Sequence, residues 1–281
     1  MLGGMICCNK IKKKGQQDTY TWYMETHVGY HVPYPDMSNT CYGTHGDAAA
    51  TIMVYCKHFV NFTEFVRKTK DQPGLMNIEQ NFADALNDIP TITELCVLAL
   101  YNIAVSQPFM GHVRKHDNIL QLESFFQKKA DFLQAIAISP SLWTGKNVLH
   151  ATGSLSGGEW TEWDMEVLKA VKKHSSMLSD LDDAIVAFVD GAHKAFVECF
   201  SNEFKIGSGI NTLTENKCEK LYFLSTNDAN EGGLGSWQCG QVRQPAETLQ
   251  KFNASFVAAR NNTESFITYK LTEEEEDLYV M

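Results

Sequence analysis

The chain has 281 residues, of which 44% are hydrophobic and 11% aromatic, and this composition excludes an intrinsically disordered protein. Its 7 Pro and 19 Gly exclude a collagen-like repeat, and 8 Cys in so long a chain exclude a small domain built on disulfides. The net charge of −10 argues against a protein whose main task is to cover nucleic-acid phosphates, because that task needs a basic face.

The two ends of the chain carry opposite charges. Residues 10–14 hold four lysines and no acid, and they predict a basic flexible tail over residues 1–20. Residues 273–277 are all acidic, and without the two ends the body of the chain still has a net charge of −9. We therefore expect any contact with DNA to come from the basic tail, from a local basic patch or from a region upstream of this chain.

Hydrophobic periodicity predicts helices along most of the chain. Apolar residues from Ile52 to Val66 recur in steps of three and four, which indicates an amphipathic helix over residues 48–66. Similar patterns predict further helices over residues 77–86, 91–103, 118–138, 164–174, 182–203, 211–221, 230–240, 247–259 and 264–280. The helix over residues 91–103 is expected to start after Pro90, with Thr91 or Thr93 near its cap.

A glycine-rich segment over residues 144–160 interrupts this helical pattern and is typical of a loop or a short hairpin. The sequence thus predicts an all-α fold, a multi-helix bundle or array with this short segment in its middle. Residues 21–281 are expected to form a single helical domain, with a division into two lobes near residues 144–160 as the alternative.

The start of the chain lacks the long apolar core of a signal peptide. The longest apolar run, residues 95–105, is shorter than the roughly 20 residues that a bilayer requires. These features predict an intracellular protein, nuclear or cytoplasmic, without a membrane span. The oligomeric state stays open, and DNA or a protein partner is possible.

The most unusual local sequence is residues 225–235, where Gly232, Gly233 and Gly235 follow Glu231. Each glycine near the start of a helix costs about 1 kcal/mol relative to alanine, so a compensating use is expected. One interpretation is a backbone that a ligand or nucleic acid approaches closely, with Glu231 as a functional carboxylate. The alternative is tight helix packing around Trp237.

Two further pairs of residues can share a proton or a metal ion. Asp190 and His193 lie one turn apart on the predicted helix over residues 182–203, and His45 and Asp47 stand at the start of the first long helix. The structural alternatives are an exposed polar helix face for the first pair and a helix cap for the second.

Four segments resemble a multicopy family of proteins from mushroom-forming fungi. They are residues 42–48 (YGTHGDA), 89–101 (IPTITELCVLALY), 226–232 (TNDANEG) and 260–263 (RNNT). Members of that family are often longer at the amino end, so the resemblance implies that this chain can be the carboxy-terminal part of a longer, transposon-derived protein. The family supplies no activity.

The pattern T-N-x-x-x-E-G over residues 226–232 is also similar to the glutamate motif of DDE transposases, whose core holds two metal ions with two aspartates and one glutamate. This resemblance implies Glu231 as a catalytic and metal-binding carboxylate, with Asp47 or Asp190 as its partner and Mg²⁺ as the cofactor. His45 and His193 complete the candidate metal ligands.

Two functions follow as expectations. The first is a transposon-derived helical protein that takes part in DNA transactions and lacks complete catalytic machinery of its own. The second is a non-enzymatic helical scaffold or interaction module that presents an acidic surface to a basic partner. The sequence leaves open whether the protein is an enzyme.

Overall fold

The structure is a computed structural model, and it describes residues 2–9, 15–35, 43–70, 74–116, 118–205, 207–221 and 223–270. These residues form helices and connecting loops, and no strand occurs among them, so the predicted all-α fold is confirmed. The lysines at positions 10–14 and the acids at 273–277 lie outside the described residues.

The chain divides into two compact units, Met1–Phe223 and Leu224–Met281. The α-helices of the first unit are α1 Leu2–Cys7, α2 Gln17–Val28, α3 Thr44–Val54, α4 Cys56–Thr69, α5 Asn77–Ala85, α6 Ile89–Tyr101, α7 Gln107–Val113, α8 Glu123–Ile138, α9 Ser141–Thr144, α10 His150–Gly153, α11 Glu162–Ser175, α12 Leu181–Ala195 and α13 Glu215–Lys220. The helices of the second unit are α14 Asp228–Arg243, α15 Leu249–Arg260 and α16 Thr263–Lys270.

Helix α6 is the centre of the first unit. Its start is capped by Asp88, whose carboxylate accepts a hydrogen bond of 2.9 Å from the backbone N–H of Thr91, and Pro90 occupies the first turn, where its missing N–H costs nothing. A π-helical turn, Asn102–Ser106, joins α6 to α7. Helices α3, α11 and α12 pack against α6, and α8 packs against α12.

The helix Ile89–Val113, which runs from α6 through α7, is long and apolar enough to cross a membrane when judged by length and composition alone. However, 56% of its most apolar window is buried by the rest of the fold, as expected for a central core helix.

A second hydrophobic cluster joins α1, α2, α4 and α5 in the same unit. Helix α4 contributes Phe59, Phe62 and Val66 at the predicted spacing, and all three are buried. The structure divides the predicted helix over residues 48–66 into α3 and α4 at Tyr55. Residues 2–7 form a helix, where the sequence predicts a flexible tail, because Ile6 and Cys7 are buried in this cluster.

The glycine-rich segment over residues 144–160 lies inside the first unit as loops around the short helix α10. The indole N–H of buried Trp143 donates a hydrogen bond of 2.9 Å to the carbonyl of Gly153. The N–H of buried Leu155 donates another of 2.9 Å to the carbonyl of Ala104 in the π-helical turn. These bonds attach the segment to the core.

In the second unit, residues 224–270 form small aromatic contacts, and none of those whose burial is described is buried. The rings of Trp237 and Phe252 lie 5.0 Å apart, and Phe252 stacks on Phe256 at 5.6 Å. A Cβ at Gly233 would lie 3.3 Å from the Phe256 ring, which explains one of the three clustered glycines by close packing. A Cβ at Gly232 or Gly235 would meet open space, so packing does not explain those two.

Candidate functional site

Asp47, one of the candidate metal ligands, lies at the contact between α3 and the π-helical turn. One oxygen of its carboxylate accepts hydrogen bonds from the side-chain amides of Asn102, at 2.8 Å, and Gln107, at 3.1 Å. A Cβ at neighbouring Gly46 would lie only 2.6 Å from Asn102, so glycine allows the two helices to approach closely. His45 is exposed at the start of α3. Gly46 and Asp47 therefore hold the start of α3 against the π-helical turn that follows α6.

Asp190, the second candidate carboxylate, lies on the exposed face of α12. Its carboxylate pairs with Lys194 at 2.7 Å, one turn further along the helix. The hydrogen bond and the charge of Asp190 raise the pKa of Lys194. His193 is half-buried on the same helix. The ion pair fits the structural alternative, an ordinary surface pair on a helix.

Glu231 lies in the first turn of α14, in the second unit, and its side chain is exposed. An acid in the first turn interacts favourably with the helix dipole. Its backbone N–H donates to the carbonyl of Asn227, so the helix starts at the TND sequence. This position gives Glu231 a local structural role.

The candidate ligands do not fit a two-metal centre. No group of three or more His, Cys, Asp or Glu side chains in the described part of the chain is placed to hold a metal ion. Such a centre needs several carboxylates on two ions about 4 Å apart, whereas Asp47 is held by two amides and Asp190 by a lysine. The Mg²⁺ expectation therefore has no ligand set among these residues.

Asp47 also borders a cavity of about 410 Å³, together with His31, Tyr55 and Trp163. The hydroxyls of Tyr30 and Tyr55 lie 2.8 Å apart at the same place. Part of the wall is formed by Pro33 and by Pro35, and Pro35 directly precedes residues 36–42, which lie outside the described part of the chain.

A larger cleft, of about 580 Å³, lies between α4, the start of α6 and the end of α11. Its size is within the range of about 300–1,000 Å³ that is usual for small-molecule sites. We name it the Lys-His cleft after two pairs of adjacent residues in its wall. The lining residues are Met53, Val54, Cys56, Lys57, His58, Val60, Leu86, Asn87, Ile89, Ile92, Ala170, Lys173, His174, Met177 and Leu178.

The Lys-His cleft has an apolar floor. Met53, Ile92 and Leu178 are buried there, because they also belong to the main hydrophobic core. Ile89 and Met177, in contrast, are 58% and 62% exposed and extend the apolar surface outward. An apolar molecule in the cleft would therefore gain free energy by covering side chains that now face water.

The polar residues of the cleft are mostly basic. Lys57 and His58 come from α4, and Lys173 and His174 come from the last turn of α11. The two lysines are exposed and the two histidines are half-buried. None of the lining residues is acidic, although the chain as a whole has a net charge of −10. The cleft is thus a local positive region in an acidic protein.

Burial changes the protonation of the cleft residues. It lowers the pKa of His58, and the neighbouring His27 and Lys57 lower it further. Burial likewise lowers the pKa of His174, with an additional contribution from Lys173. Both imidazoles are therefore neutral at pH 7, and each can donate one hydrogen bond.

Cys56 is the only thiol in the lining of the cleft. Burial raises its pKa, and the positive charge of Lys173 offsets part of this increase. The group is consequently a thiol at neutral pH, whereas nucleophilic catalysis by cysteine requires the thiolate. The cleft is suited to binding more than to covalent chemistry.

The Lys-His cleft is not predicted by the sequence patterns described above. The visible signal is the Lys-His dipeptide, which occurs at residues 57–58, 115–116 and 173–174, and the cleft contains the first and the third of these, on two helices with apolar stripes. These two dipeptides are more than a hundred residues apart, and only the packing of the first unit brings them to one cleft.

Comparison with protein-family models, with curated proteins and with solved structures finds no match to this chain.

Proposed function

We propose that the protein is a non-catalytic binding protein that holds a small, mainly apolar molecule in the Lys-His cleft. The supporting observation is the combination of a cleft of about 580 Å³ with an apolar floor and a few polar groups at its edge. This combination is typical of sites for small ligands. This proposal keeps the non-enzymatic role expected in the second function and replaces the expected basic protein partner by a small molecule.

The proposal is tested by filling the cleft. Ala170 lines it and is half-buried, so Ala170→Phe places an aromatic ring where the ligand would lie. The matched control is Ala135→Phe, on the exposed side of α8. The readout is the fluorescence of the neutral apolar dye N-phenyl-1-naphthylamine, titrated into the full chain.

We expect saturable binding of one dye molecule per wild-type chain. Ala170→Phe should weaken this binding at least about tenfold, which corresponds to about 1.4 kcal/mol, and Ala135→Phe should leave it unchanged. Equal dye binding by all three proteins would place the dye elsewhere and refute the proposal. Thermal unfolding curves establish that both variants are folded.

A second candidate function is contact with DNA, as expected for a transposon-derived protein. It is favoured by a cluster of three lysines around a smaller depression of about 160 Å³ beside α11, namely Lys146, Lys169 and Lys172. Lys169 pairs with Glu166 at 2.8 Å, and Lys172 donates to the carbonyl of Lys146, so local contacts use part of this charge.

The DNA candidate predicts binding that weakens steeply with salt, because counterions are released when lysines neutralise phosphates. Lys146→Gln with Lys172→Gln should then reduce both the affinity for duplex DNA and its salt dependence. Binding that these substitutions do not change would remove this support for the candidate. The relationship to DDE transposases itself stays a prediction.

A further inference from the structure

We propose that the Lys-His cleft selects amphipathic carboxylates, whose head group contacts Lys57 and Lys173 while the apolar chain covers the floor. This inference rests on the binding function proposed above and specifies the chemical class of the ligand.

The charge of the cleft supports an anionic ligand. Neither Lys57 nor Lys173 forms an ion pair with a described residue, whereas Lys169 and Lys194 pair with acids on their own helices. Two exposed ammonium groups, among lining residues that include no acid, give the cleft a local positive potential, which the capping carboxylate of Asp88, between lining residues Asn87 and Ile89, offsets in part. A carboxylate in the cleft would neutralise that potential.

The distribution of polar and apolar groups supports an amphipathic ligand. The charged side chains are exposed, and Met53, Ile92 and Leu178 lie buried at the floor. A bound molecule with one charged end would therefore keep that end near water and place its chain against apolar surface. A ligand without a charged end would leave the two lysines solvated and gain nothing from them.

The half-buried histidines favour a singly charged head group. His58 and His174 are neutral near pH 7 and can each donate one hydrogen bond without adding charge. Removing an anion from water has a cost that rises steeply with its charge, so a carboxylate enters this partly desolvated setting more readily than a doubly charged phosphate. The two positive charges of the lysines then exceed the single negative charge of the carboxylate.

The experiment compares ligands that share a chain and differ in the head group. Decanoate, decanol and decyltrimethylammonium, each below its micelle concentration, displace N-phenyl-1-naphthylamine from the full chain near neutral pH. We expect decanoate to bind about tenfold more tightly than decanol, and the cation to bind more weakly than decanol. Decyl phosphate provides a comparison with a phosphate head group.

The variants assign the difference to the two lysines. Lys57→Gln with Lys173→Gln should remove the preference for decanoate over decanol and leave the affinity for decanol unchanged. Lys57→Arg with Lys173→Arg should retain the preference, since the charge is kept. The matched control is Lys169→Gln with Lys172→Gln, two lysines of the same helix that line the smaller depression instead of the cleft, which should change neither affinity.

Each outcome is decisive. Equal affinity for decanoate and decanol in the wild-type protein would overturn the selectivity and leave the binding function intact. Tighter binding of decyl phosphate than of decanoate would overturn the assignment of a carboxylate. Failure of every ligand to displace the dye, or to bind in direct calorimetric titration, would overturn both the selectivity and the binding function.

Discussion

The side-chain amide of Asn102 donates a hydrogen bond of 2.8 Å to the carboxylate of Asp47, across the contact between α3 and the π-helical turn after α6. Asn102 is only 2% exposed, so its amide has no access to water if this acceptor is lost. This hydrogen bond gives Asp47, a candidate catalytic residue in the sequence, a structural role in the fold.

The first prediction concerns this bond. Asp47→Ala should lower the free energy of unfolding by about 1–3 kcal/mol, because it leaves the buried amide of Asn102 without its acceptor. The matched substitution Asp190→Ala breaks an exposed ion pair and should cost less than about 1 kcal/mol. Urea denaturation of the two variants measures both values.

Equal losses of stability in the two variants would contradict this account of Asp47. Millimolar Mg²⁺ should also leave the unfolding midpoint of the wild-type protein unchanged, since a metal ion that binds the folded state would raise it.

A second prediction concerns Lys129, which is buried in α8 at 4% exposure. Its ammonium lies 3.7 Å from the centre of the Phe109 ring and 4.2 Å from that of Phe196, and burial lowers its pKa to about 8. Between pH 8 and its ordinary pKa of 10.5, the unfolded chain keeps this proton and the folded chain has released it. Stability therefore rises with pH in this interval.

The measurement is the free energy of unfolding as a function of pH, for the wild type and for Lys129→Met. The free energy of unfolding of the wild type should rise by up to about 3 kcal/mol relative to that of the variant between pH 8 and pH 10.5. Stabilisation of the charged ammonium by the two aromatic rings makes this rise smaller. The control is Lys128→Met, at the exposed neighbouring position. Its curve of unfolding free energy against pH should run parallel to that of the wild type. A parallel curve for Lys129→Met would show that burial does not shift this lysine.

A third prediction concerns the pH dependence of the Lys-His cleft. Burial lowers the pKa of both His58 and His174, so the folded protein takes up these protons at lower pH than the unfolded chain does. Stability is therefore lost as pH falls below about 6.5, the ordinary histidine value. A bound carboxylate reverses this effect, since it stabilises the protonated imidazoles, and decanoate affinity should rise over the same interval.

The groups that face these imidazoles are His27 from α2, Lys57 from α4 and Lys173 from α11, all of which oppose a further positive charge. Titrations of decanoate between about pH 5.5 and 7.5 give the affinity, with decanol as the neutral reference. His58→Gln with His174→Gln should flatten the decanoate curve. A pH dependence that persists in this variant would assign the effect to other groups.

Several parts of the fold were predictable because they depend on local patterns. The stripe of Phe59, Phe62 and Val66 identifies α4, and the bounds of α5 follow from its periodicity. The start of α6 was predicted at Thr91 or Thr93, but the cap is Asp88, because a proline in the first turn is compatible with a helix that begins before it.

Long-range packing accounts for what the sequence did not predict. The spacing of His45, Gly46 and Asp47 is compatible with a metal site and also with a tight helix contact, and only the position of Asn102 distinguishes the two. Helix α1 depends on burial against α2 and α5, which its own short sequence does not predict. The Lys-His cleft likewise exists only because residues of α4, α6 and α11, far apart in the sequence, line the same space.

The location of a bound carboxylate tests the central claim most directly. A diazirine derivative of decanoic acid, photolysed with the full chain and mapped by peptide mass spectrometry, should label residues around Val54 to Val60, Leu86 to Ile92 and Ala170 to Leu178, which line the cleft. Excess decanoate should suppress this labelling. Labelling confined to residues 224–270, or labelling that excess decanoate does not suppress, would contradict the account.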